Sequence, residues 1–316
     1  MSNTKQFVTG GAGFIGSHLV DRLMAEGKTV TVYDNLCSGK EAWIQHHFGK
    51  PNFRFIQADL LDLSTLKQAM KGHEVVWHFG ANTDIPGGNK VTDLDLRNCT
   101  MATWNTLEAV KVSGIKQLIF ASSSAVYGEA PVHPTSESVG PLLPISLYGA
   151  GKLACEGIIS AYSHLFGIQA WMFRFANVLG ERMGHGVIYD FIHKLRKNPK
   201  QLEILGDGSQ EKNFFLVEDC LNGIFFAYSK TNGQYDVFNL GCEDKIRVTD
   251  IAEIVVQEMG LKDVEFQYTG GKRGWPGDVT QVIYDVSKMK ILGWKPRYAS
   301  SEAVRIAARR LLKKPD

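Results

Sequence analysis

The sequence predicts an α/β fold in which a parallel sheet carries helices on both faces. Short apolar strands alternate with helical patterns from the first residues, a glycine-rich turn joins the first strand to the first helix, and an acidic residue closes the second strand. Strands that are separated by helical crossovers run parallel, which is the doubly wound arrangement of a Rossmann-type domain.

The alternation is regular in the first half of the chain and breaks up after about residue 174. The predicted strands are 5–8, 29–33, 53–57, 75–79 and 117–121, and the helices between them are 13–25, 63–70 and about 95–111. Later helices are predicted at 187–197, 218–228, 248–259 and 300–312, among glycine-rich loops. We therefore expect a Rossmann domain over 1–173, with a return of the chain at about 215–240, and a smaller mixed α/β domain made of 174–214 and 241–316.

Composition excludes several classes of function. The net charge is +2, so no nucleic-acid or membrane partner is predicted. The apolar runs are far shorter than the roughly 20 residues of a membrane helix, and the first residues lack a secretory signal pattern. Five dispersed cysteines favour reduced thiols in a cytoplasmic protein. The histidines show no metal-ligand spacing, so no metal site is predicted.

A glycine pattern predicts a phosphate-binding loop. Gly10, Gly13 and Gly16 lie between the first strand and the first helix. A tight turn, close approach of a pyrophosphate and helix–sheet packing each require a residue without Cβ, and the helix N-terminus offers free N–H groups to the anion. The plainer interpretation is a simple turn.

Asp34 favours NAD over NADP as the cofactor. It closes the second strand, 18 residues after Gly16, where a carboxylate accepts a hydrogen bond from a ribose 2′-hydroxyl and repels a 2′-phosphate. The alternative is a turn-forming acid before Asn35.

A serine, a tyrosine and a lysine form the predicted catalytic set. Tyr148 and Lys152 are spaced i, i+4, so that they share one face of a helix, and a lysine cation lowers the pKa of a phenol. Ser123 lies in the segment Ser122–Ser124 that follows the strand 117–121, and ligands in doubly wound folds bind at the carboxyl ends of strands. A surface pair and a serine-rich turn are the alternatives for these motifs taken singly.

With these motifs in this order, the chain resembles the extended short-chain dehydrogenase/reductase family from residue 7 to about 312, and most of all its UDP-glucose (galactose) 4-epimerases. The resemblance implies that Ser123, Tyr148 and Lys152 are catalytic. It implies that NAD is contacted by Gly10, Gly13, Phe14, Ile15, Gly16, Asp34, Asn35, Asp59, Leu60, Phe79, Gly80, Ala81, Asn98, Tyr148, Lys152 and Phe175. It implies that the UDP-sugar is contacted by Ser123, Ser124, Asn177, Val187, Leu205, Lys212, Arg273, Asp278 and Val282.

The residues after Ser123 bear on the reaction. Related dehydratases carry an Asp-Glu pair just after the catalytic hydroxyl, related decarboxylases carry a glutamate two residues after it, and GDP-fucose-type enzymes use a cysteine in this turn. Ser124 and Ala125 stand here instead, and neither is an acid or a base. We therefore expect reversible 4-epimerisation of a UDP-hexose through a 4-keto intermediate. The alternatives are a UDP-glucuronate 4-epimerase, another nucleotide-sugar-modifying member such as a dehydratase or reductase, and a non-catalytic NAD-binding protein.

Three further expectations follow from the resemblance. Lys212 stands where the family often has an arginine for the diphosphate, and it lacks the bidentate fork of arginine. Val282 stands at the gate beside the C2 substituent, where a tyrosine would exclude N-acetyl groups, so we expect N-acetylhexosamines to be tolerated. The helices at about 95–111 and 148–166 resemble those of a homodimer interface, and core packing is the alternative explanation of their apolar pattern.

Overall fold

The structure is a computed structural model that describes residues 4–281 and 283–313. Its strands in chain order are β1 (Lys5–Thr9), β2 (Thr29–Asp34), β3 (Phe53–Gln57), β4 (Val75–His78), β5 (Gln117–Ser123), β6 (Gln169–Phe175), β7 (Asn177–Leu179), β8 (Gln201–Ile204), β9 (Glu211–Lys212), β10 (Phe214–Leu216), β11 (Tyr235–Leu240), β12 (Ile246–Arg247) and β13 (Glu265–Tyr268).

The helices lie between and after these strands. They are α1 (Phe14–Ala25), α2 (Leu63–Ala69), α3 (Ile85–Gly88), α4 (Ala102–Val112), α5 (Leu147–Phe166), α6 (Val187–Lys197), α7 (Val217–Lys230), α8 (Val248–Glu258), α9 (Ser287–Leu292) and α10 (Ser300–Leu312). Short 3-10 turns occupy Glu41–Trp43, Gln45–His47 and Ser124–Tyr127, and a π-helical turn at Leu96–Met101 leads into α4.

The chain forms two compact units. The first comprises Met1–Val126, Leu147–Arg174 and Tyr228–Phe238, and the second comprises Tyr127–Ser146, Phe175–Ala227 and Asn239–Asp316, each as far as it is described.

A seven-stranded sheet organises the first unit. The strand order is β11-β6-β5-β4-β1-β2-β3, and the pairs β1–β2, β1–β4, β2–β3 and β4–β5 are parallel. Strands covered by helices on both faces are apolar along their length, which is why β1 and β4 bury nearly every residue. The predicted doubly wound α/β fold is confirmed.

The core of this unit lies where α2, α4 and α5 meet the sheet. Phe7, Phe120 and Leu118 from the strands pack with Leu107 of α4 and Ile159 of α5, and each is almost completely buried. The strands β1, β2, β4 and β5 therefore belong to a well-packed layer, and the predicted cofactor and catalytic residues directly follow their carboxyl ends.

Short paired strands and helices build the second unit. Its two-stranded sheets are β10–β7 and β13–β8, both parallel, and β12–β9, which is antiparallel. Glu258 at the end of α8 accepts ion pairs from Arg305 (2.8 Å) and Arg309 (2.7 Å) of α10. The basic residues of α10 are thus engaged within the unit. Among the described residues, no helix has the length and apolar character that crossing a membrane requires.

Candidate active site

The predicted phosphate loop is a close-packed turn between β1 and α1. Gly10 has φ +67°, and a Cβ built on it would lie 2.6 Å from the backbone nitrogen of Gly80. The Gly13 N–H donates to the Gly10 carbonyl at 3.1 Å, and a Cβ on Gly16 would lie 2.1 Å from that same oxygen. The turn therefore requires glycine both for its backbone angle and for space.

The N-terminus of α1 faces this loop without a side-chain cap. Gly13 occupies the N-cap position with extended backbone and has no side chain that could cap the first turn. Helix N-termini with free N–H groups bind phosphate and pyrophosphate. Phe14, Ile15 and Gly16, all predicted to contact the cofactor, form that first turn.

Asp34 is held rigidly at the end of β2. Its carboxylate accepts the Ala12 N–H at 2.9 Å and the Leu36 N–H at 2.8 Å, and the residue is buried. Burial raises the pKa of Asp34 above its ordinary value, although both backbone hydrogen bonds act in the opposite direction. A buried acceptor joined to the phosphate loop fits the ribose side of a dinucleotide.

The other predicted cofactor residues cluster at neighbouring strand ends. The Asn35 amide donates to the Asp59 carboxylate at 3.0 Å, and a Cβ on Gly80 would lie 2.6 Å from Leu60. Phe79, Gly80 and Ala81 directly follow β4, and Asn98 lies in the π-helical turn. Phe175, the last residue of β6, is buried and belongs to the second unit.

The three predicted catalytic side chains come together in the first unit. Ser123 ends β5, and its hydroxyl is close enough to the phenol of Tyr148, near the start of α5, to lower the pKa of that phenol. Lys152 lies one turn further along α5, and its Nζ is 5.9 Å from the Tyr148 ring centroid. Nζ also donates to the carbonyl of Ala121 at 2.7 Å and lies 4.8 Å from the Phe120 ring, so β5 positions all three groups.

The charges around Tyr148 act in opposite directions. Burial raises the pKa of the phenol above its ordinary value, whereas Lys152 and the Ser123 hydrogen bond lower it. Burial disfavours the Lys152 ammonium, but the nearby Cys99, Tyr148, Cys155 and Glu156 groups together outweigh that effect, and the pKa of Lys152 lies above its ordinary value. At neutral pH the lysine is therefore a cation placed to stabilise a phenolate.

A buried ion pair supports this set and was not predicted from the sequence. Glu156 accepts from Arg174 Nε at 3.0 Å and from Arg174 Nη2 at 2.7 Å, and both side chains are almost fully buried. The Ser122 hydroxyl donates to the same carboxylate at 2.5 Å, next to Ser123. Glu156 lies four residues after Lys152, so the i, i+4, i+8 series from Tyr148 was the signal available in the sequence.

His78 is a fully buried, neutral side chain beneath the same strands. Its two ring nitrogens bond to the hydroxyls of Thr9 (2.7 Å) and Thr103 (3.0 Å). Burial, with a smaller effect of Lys152, lowers the pKa of His78 to about 3. The imidazole joins β1, β4 and α4 without a charge.

Several predicted substrate residues form one group in the second unit. The Lys212 ammonium lies 2.6 Å from the Asp278 carboxylate, and Arg273 donates to the Asp278 carbonyl at 2.7 Å. The Gly274 N–H donates to the same carboxylate at 3.1 Å, and Arg273 also pairs with Glu129. Lys212 is therefore committed to an acid, which reduces its capacity to bind a phosphate.

The remaining substrate predictions have different positions. Asn177 begins β7 and donates to the Asn213 carbonyl at 3.0 Å, while Val187 begins α6. Leu205 follows β8 and is exposed, and Ser124 lies in the 3-10 turn after β5. Val282 lies outside the described residues, so its predicted position at the sugar gate stays a prediction.

Comparison with known proteins identifies the family. Residues 6–241 match the model of the NAD dependent epimerase/dehydratase family. The chain belongs to this family. The match spans the glycine turn, Asp34 and the Ser123, Tyr148 and Lys152 set, and it confirms the predicted family and NAD as the cofactor.

Relatives of this family cover nearly the whole chain. A putative UDP-glucose 4-epimerase of Methanocaldococcus jannaschii is 34% identical over 306 residues, with 94% of this chain and 95% of that protein covered. A crystal structure of a UDP-galactose 4-epimerase has 39% identity and a TM-score of 0.88, with 98% of this chain and 99% of that chain covered. UDP-glucuronic acid decarboxylase 1 of Xenopus tropicalis is 31% identical, with 92% of this chain and 68% of that protein covered.

These likenesses establish the chain as a nucleotide-sugar-modifying enzyme of the NAD dependent epimerase/dehydratase family. Epimerases and decarboxylases occur among relatives at similar identity, so the family does not determine the reaction. The choice between these reactions therefore depends on the residues of the site.

Proposed function

We propose that this protein is an NAD-dependent 4-epimerase that interconverts a UDP-hexose pair, UDP-glucose and UDP-galactose or their N-acetylated forms, through a transient 4-keto sugar. The observation that carries the proposal is the Ser123, Tyr148 and Lys152 set, in which one phenol, one hydroxyl and one ammonium meet. Such a set suffices for reversible oxidation of an alcohol.

The turn after Ser123 supports epimerisation over elimination or decarboxylation. The Ala125 N–H donates to the Ser123 hydroxyl oxygen at 3.2 Å. The side chain of Ala125 is a methyl group, at the position where related decarboxylases carry a glutamate. Tyr127, the titratable residue of this 3-10 turn, is buried and donates its hydroxyl to Asn239 at 2.6 Å. The turn thus supplies no second acid or base beside Tyr148.

Each catalytic side chain has a distinct task in this proposal. The Ser123 hydroxyl binds the sugar O4, and Tyr148 accepts the O4 proton during oxidation and returns it after reduction. Lys152 stabilises the phenolate form of Tyr148, which must be present before the first transfer and forms again after the second. Bound NAD supplies a hydride acceptor and donor of the kind that oxidation and re-reduction at C4 require. The phosphate loop and Asp34 would hold this cofactor.

The proposed substrate carries a nucleoside diphosphate. Arg273 offers a guanidinium, whose five N–H donors exceed the two that it gives to the Asp278 carbonyl and to the exposed Glu129 carboxylate, and Asn177 offers an amide in the second unit. Lys212 contributes less in this proposal, because its ammonium is already paired with Asp278.

A homodimer is part of the proposal. Apolar side chains are exposed on the helices predicted to form an interface: Met101, Trp104, Leu165 and Phe166. An apolar helical face of this kind is costly in water and is commonly covered by a second copy. Light scattering coupled to gel filtration should give twice the chain mass, and a monomer at micromolar concentration would contradict the assembly.

The test is product analysis with three substrates. Purified protein is incubated separately with UDP-glucose, UDP-GlcNAc and UDP-glucuronate, and products are resolved by anion-exchange chromatography. We expect the C4 epimer of UDP-glucose or UDP-GlcNAc. Epimerisation of UDP-glucuronate alone would assign the rival UDP-glucuronate 4-epimerase activity. Release of CO₂ from UDP-glucuronate would contradict the proposal.

The matched variant is Tyr148→Phe. It removes the phenolic proton acceptor and keeps the ring, so we expect turnover to fall by about 10²- to 10⁴-fold while NAD stays bound. Near-normal turnover would exclude Tyr148 as the base. Loss of NAD together with activity would indicate a binding role instead.

A further inference from the structure

Three metal-ligating side chains converge in the first unit, apart from every residue used in the proposed function. Asp21 lies on the outer face of α1, and His46 and His47 form the 3-10 turn Gln45–His47. Asp21 Oδ1 is 2.8 Å from His46 Nε2 and 2.7 Å from His47 Nε2. The ligand atoms of the three residues all lie within 4.8 Å of one another.

The arrangement is held by packing. His47 is buried against Phe53, with ring centroids 5.4 Å apart, and the two imidazole rings lie 4.0 Å apart. The backbone N–H of His47 donates to the carbonyl of Ile44, which is itself completely buried. Both imidazoles therefore present the same nitrogen to one point above α1.

We propose that Asp21, His46 and His47 bind a divalent transition-metal ion of the zinc class, with water completing its coordination. Two imidazoles and a carboxylate are a donor set preferred by Zn²⁺, Ni²⁺ and Cu²⁺. Zinc–ligand bonds of about 2.0–2.2 Å place tetrahedral ligands roughly 3.4 Å apart. Opening the Asp21–histidine distances by about 0.6 Å admits the ion, and about a third of the Asp21 side chain is exposed to solvent.

The hydrogen bonds of His47 show which ring nitrogen faces the proposed ion. An ionised carboxylate only accepts hydrogen bonds, so the Nε2 atoms facing Asp21 carry protons in the described geometry. Nδ1 of the His47 ring then accepts a hydrogen bond from Lys50 Nζ at 3.0 Å. Metal binding at Nε2 moves the proton to Nδ1 and displaces the exposed Lys50 ammonium.

The Lys50 ammonium therefore competes with the proposed metal ion for the His47 ring. Metal-bound histidines usually donate their second N–H to an acceptor, and an ammonium cannot accept. A glutamine at this position offers an amide oxygen to Nδ1 and removes a positive charge near the ion. Lys50→Gln should thus strengthen metal binding, whereas substitutions of the ligands should weaken it.

The proposed ion would join α1 to the segment that follows β2. α1 begins at the phosphate loop, and the turn that carries His46 and His47 lies after β2, which ends at Asp34, so the ion would tie α1 to this turn. We therefore expect Zn²⁺ to raise the melting temperature of the protein.

The experiment titrates Zn²⁺ into the full chain with NAD bound, after treatment with a chelator, by isothermal calorimetry. The background variant is Cys37→Ser, because Cys37 is an exposed thiol that could bind zinc independently. We expect one ion per chain, at least tenfold weaker binding in Asp21→Asn and His46→Gln, and several-fold tighter binding in Lys50→Gln. Thermal melts of the same variants should show the zinc-dependent rise in wild type and lose it in the ligand variants.

Matched controls are His164→Gln and His193→Gln. Each of these histidines lies on an exposed helix surface and bonds to a backbone carbonyl of its own helix. They should leave zinc affinity unchanged. The proposal is overturned if the Cys37→Ser background binds no zinc below about 100 μM, which is weak for three protein ligands, or if the ligand variants made in that background bind zinc as tightly as it does. Neither outcome depends on epimerase activity.

Discussion

Replacement of Gly10 by alanine tests the phosphate loop most directly. The backbone of Gly10 has φ +67°, and an added Cβ would lie 2.6 Å from Gly80 N, 2.8 Å from Gly80 Cα and 2.8 Å from the Phe79 carbonyl carbon. These are backbone atoms of the segment after β4, which cannot rotate away as a side chain would. Gly10→Ala must therefore separate β1 from β4 at the cofactor edge.

Gly114 provides the matched control. Its φ is +70°, almost the same as that of Gly10, but a Cβ there meets nothing within 4 Å. An alanine in the left-handed region costs about 1–2 kcal/mol, and Gly114→Ala should lose only this amount. Overpacking adds about 1–3 kcal/mol, so Gly10→Ala should lose about 2–5 kcal/mol in total.

The assay combines stability with cofactor affinity. Urea denaturation of the NAD-free variants gives the two free energies of unfolding, and calorimetric titration gives the affinity for NAD. We expect Gly10→Ala to bind NAD at least tenfold more weakly and Gly114→Ala to bind it normally. Equal losses of stability in the two variants, or NAD affinity within twofold of wild type in Gly10→Ala, would refute the steric argument.

Two further predictions concern buried polar groups. Glu156→Gln should lower the free energy of unfolding by about 3–5 kcal/mol, because it leaves the Arg174 guanidinium buried without its counterion. As the control, Glu203→Gln at the exposed pair Glu203–Lys194 should cost less than about 1 kcal/mol in the same urea experiment. Similar costs in the two variants would mean that the buried pair is solvated. His78 has a pKa of about 3 when folded and about 6.5 when unfolded, so the unfolded chain takes up a proton that the folded chain refuses, and stability is lost as pH falls from 6.5 toward 3. His78→Gln should flatten this dependence by up to about 1.4 kcal/mol per pH unit, and an unchanged slope would show that His78 is protonated in the folded protein.

Local patterns in the sequence determined the cofactor-binding half of the fold. The glycines at 10, 13 and 16, the acid at 34 and the Tyr148–Lys152 spacing each depend on residues that are close in sequence or on the end of a predicted strand. The parallel sheet follows from the alternation of strands and helices. These features were sufficient to predict the fold, the family and NAD.

The strand pairing of the second unit could not be predicted from local sequence patterns. Its sheets pair strands of two to four residues from distant parts of the chain, as β7 pairs with β10 and β8 with β13. Strands this short show no measurable periodicity. The segment Tyr127–Ser146 also joins this unit, although it lies between two elements of the first.

Only the tertiary structure decided which partners the charged groups have. The sequence placed Lys212 at a diphosphate position, but Asp278, 66 residues later, neutralises it. It showed the histidine pair at 46 and 47, but Asp21, on a helix 25 residues earlier, meets both rings only in the folded chain. A local pattern reports which face a residue occupies, whereas the charge that it meets depends on which distant element packs against that face.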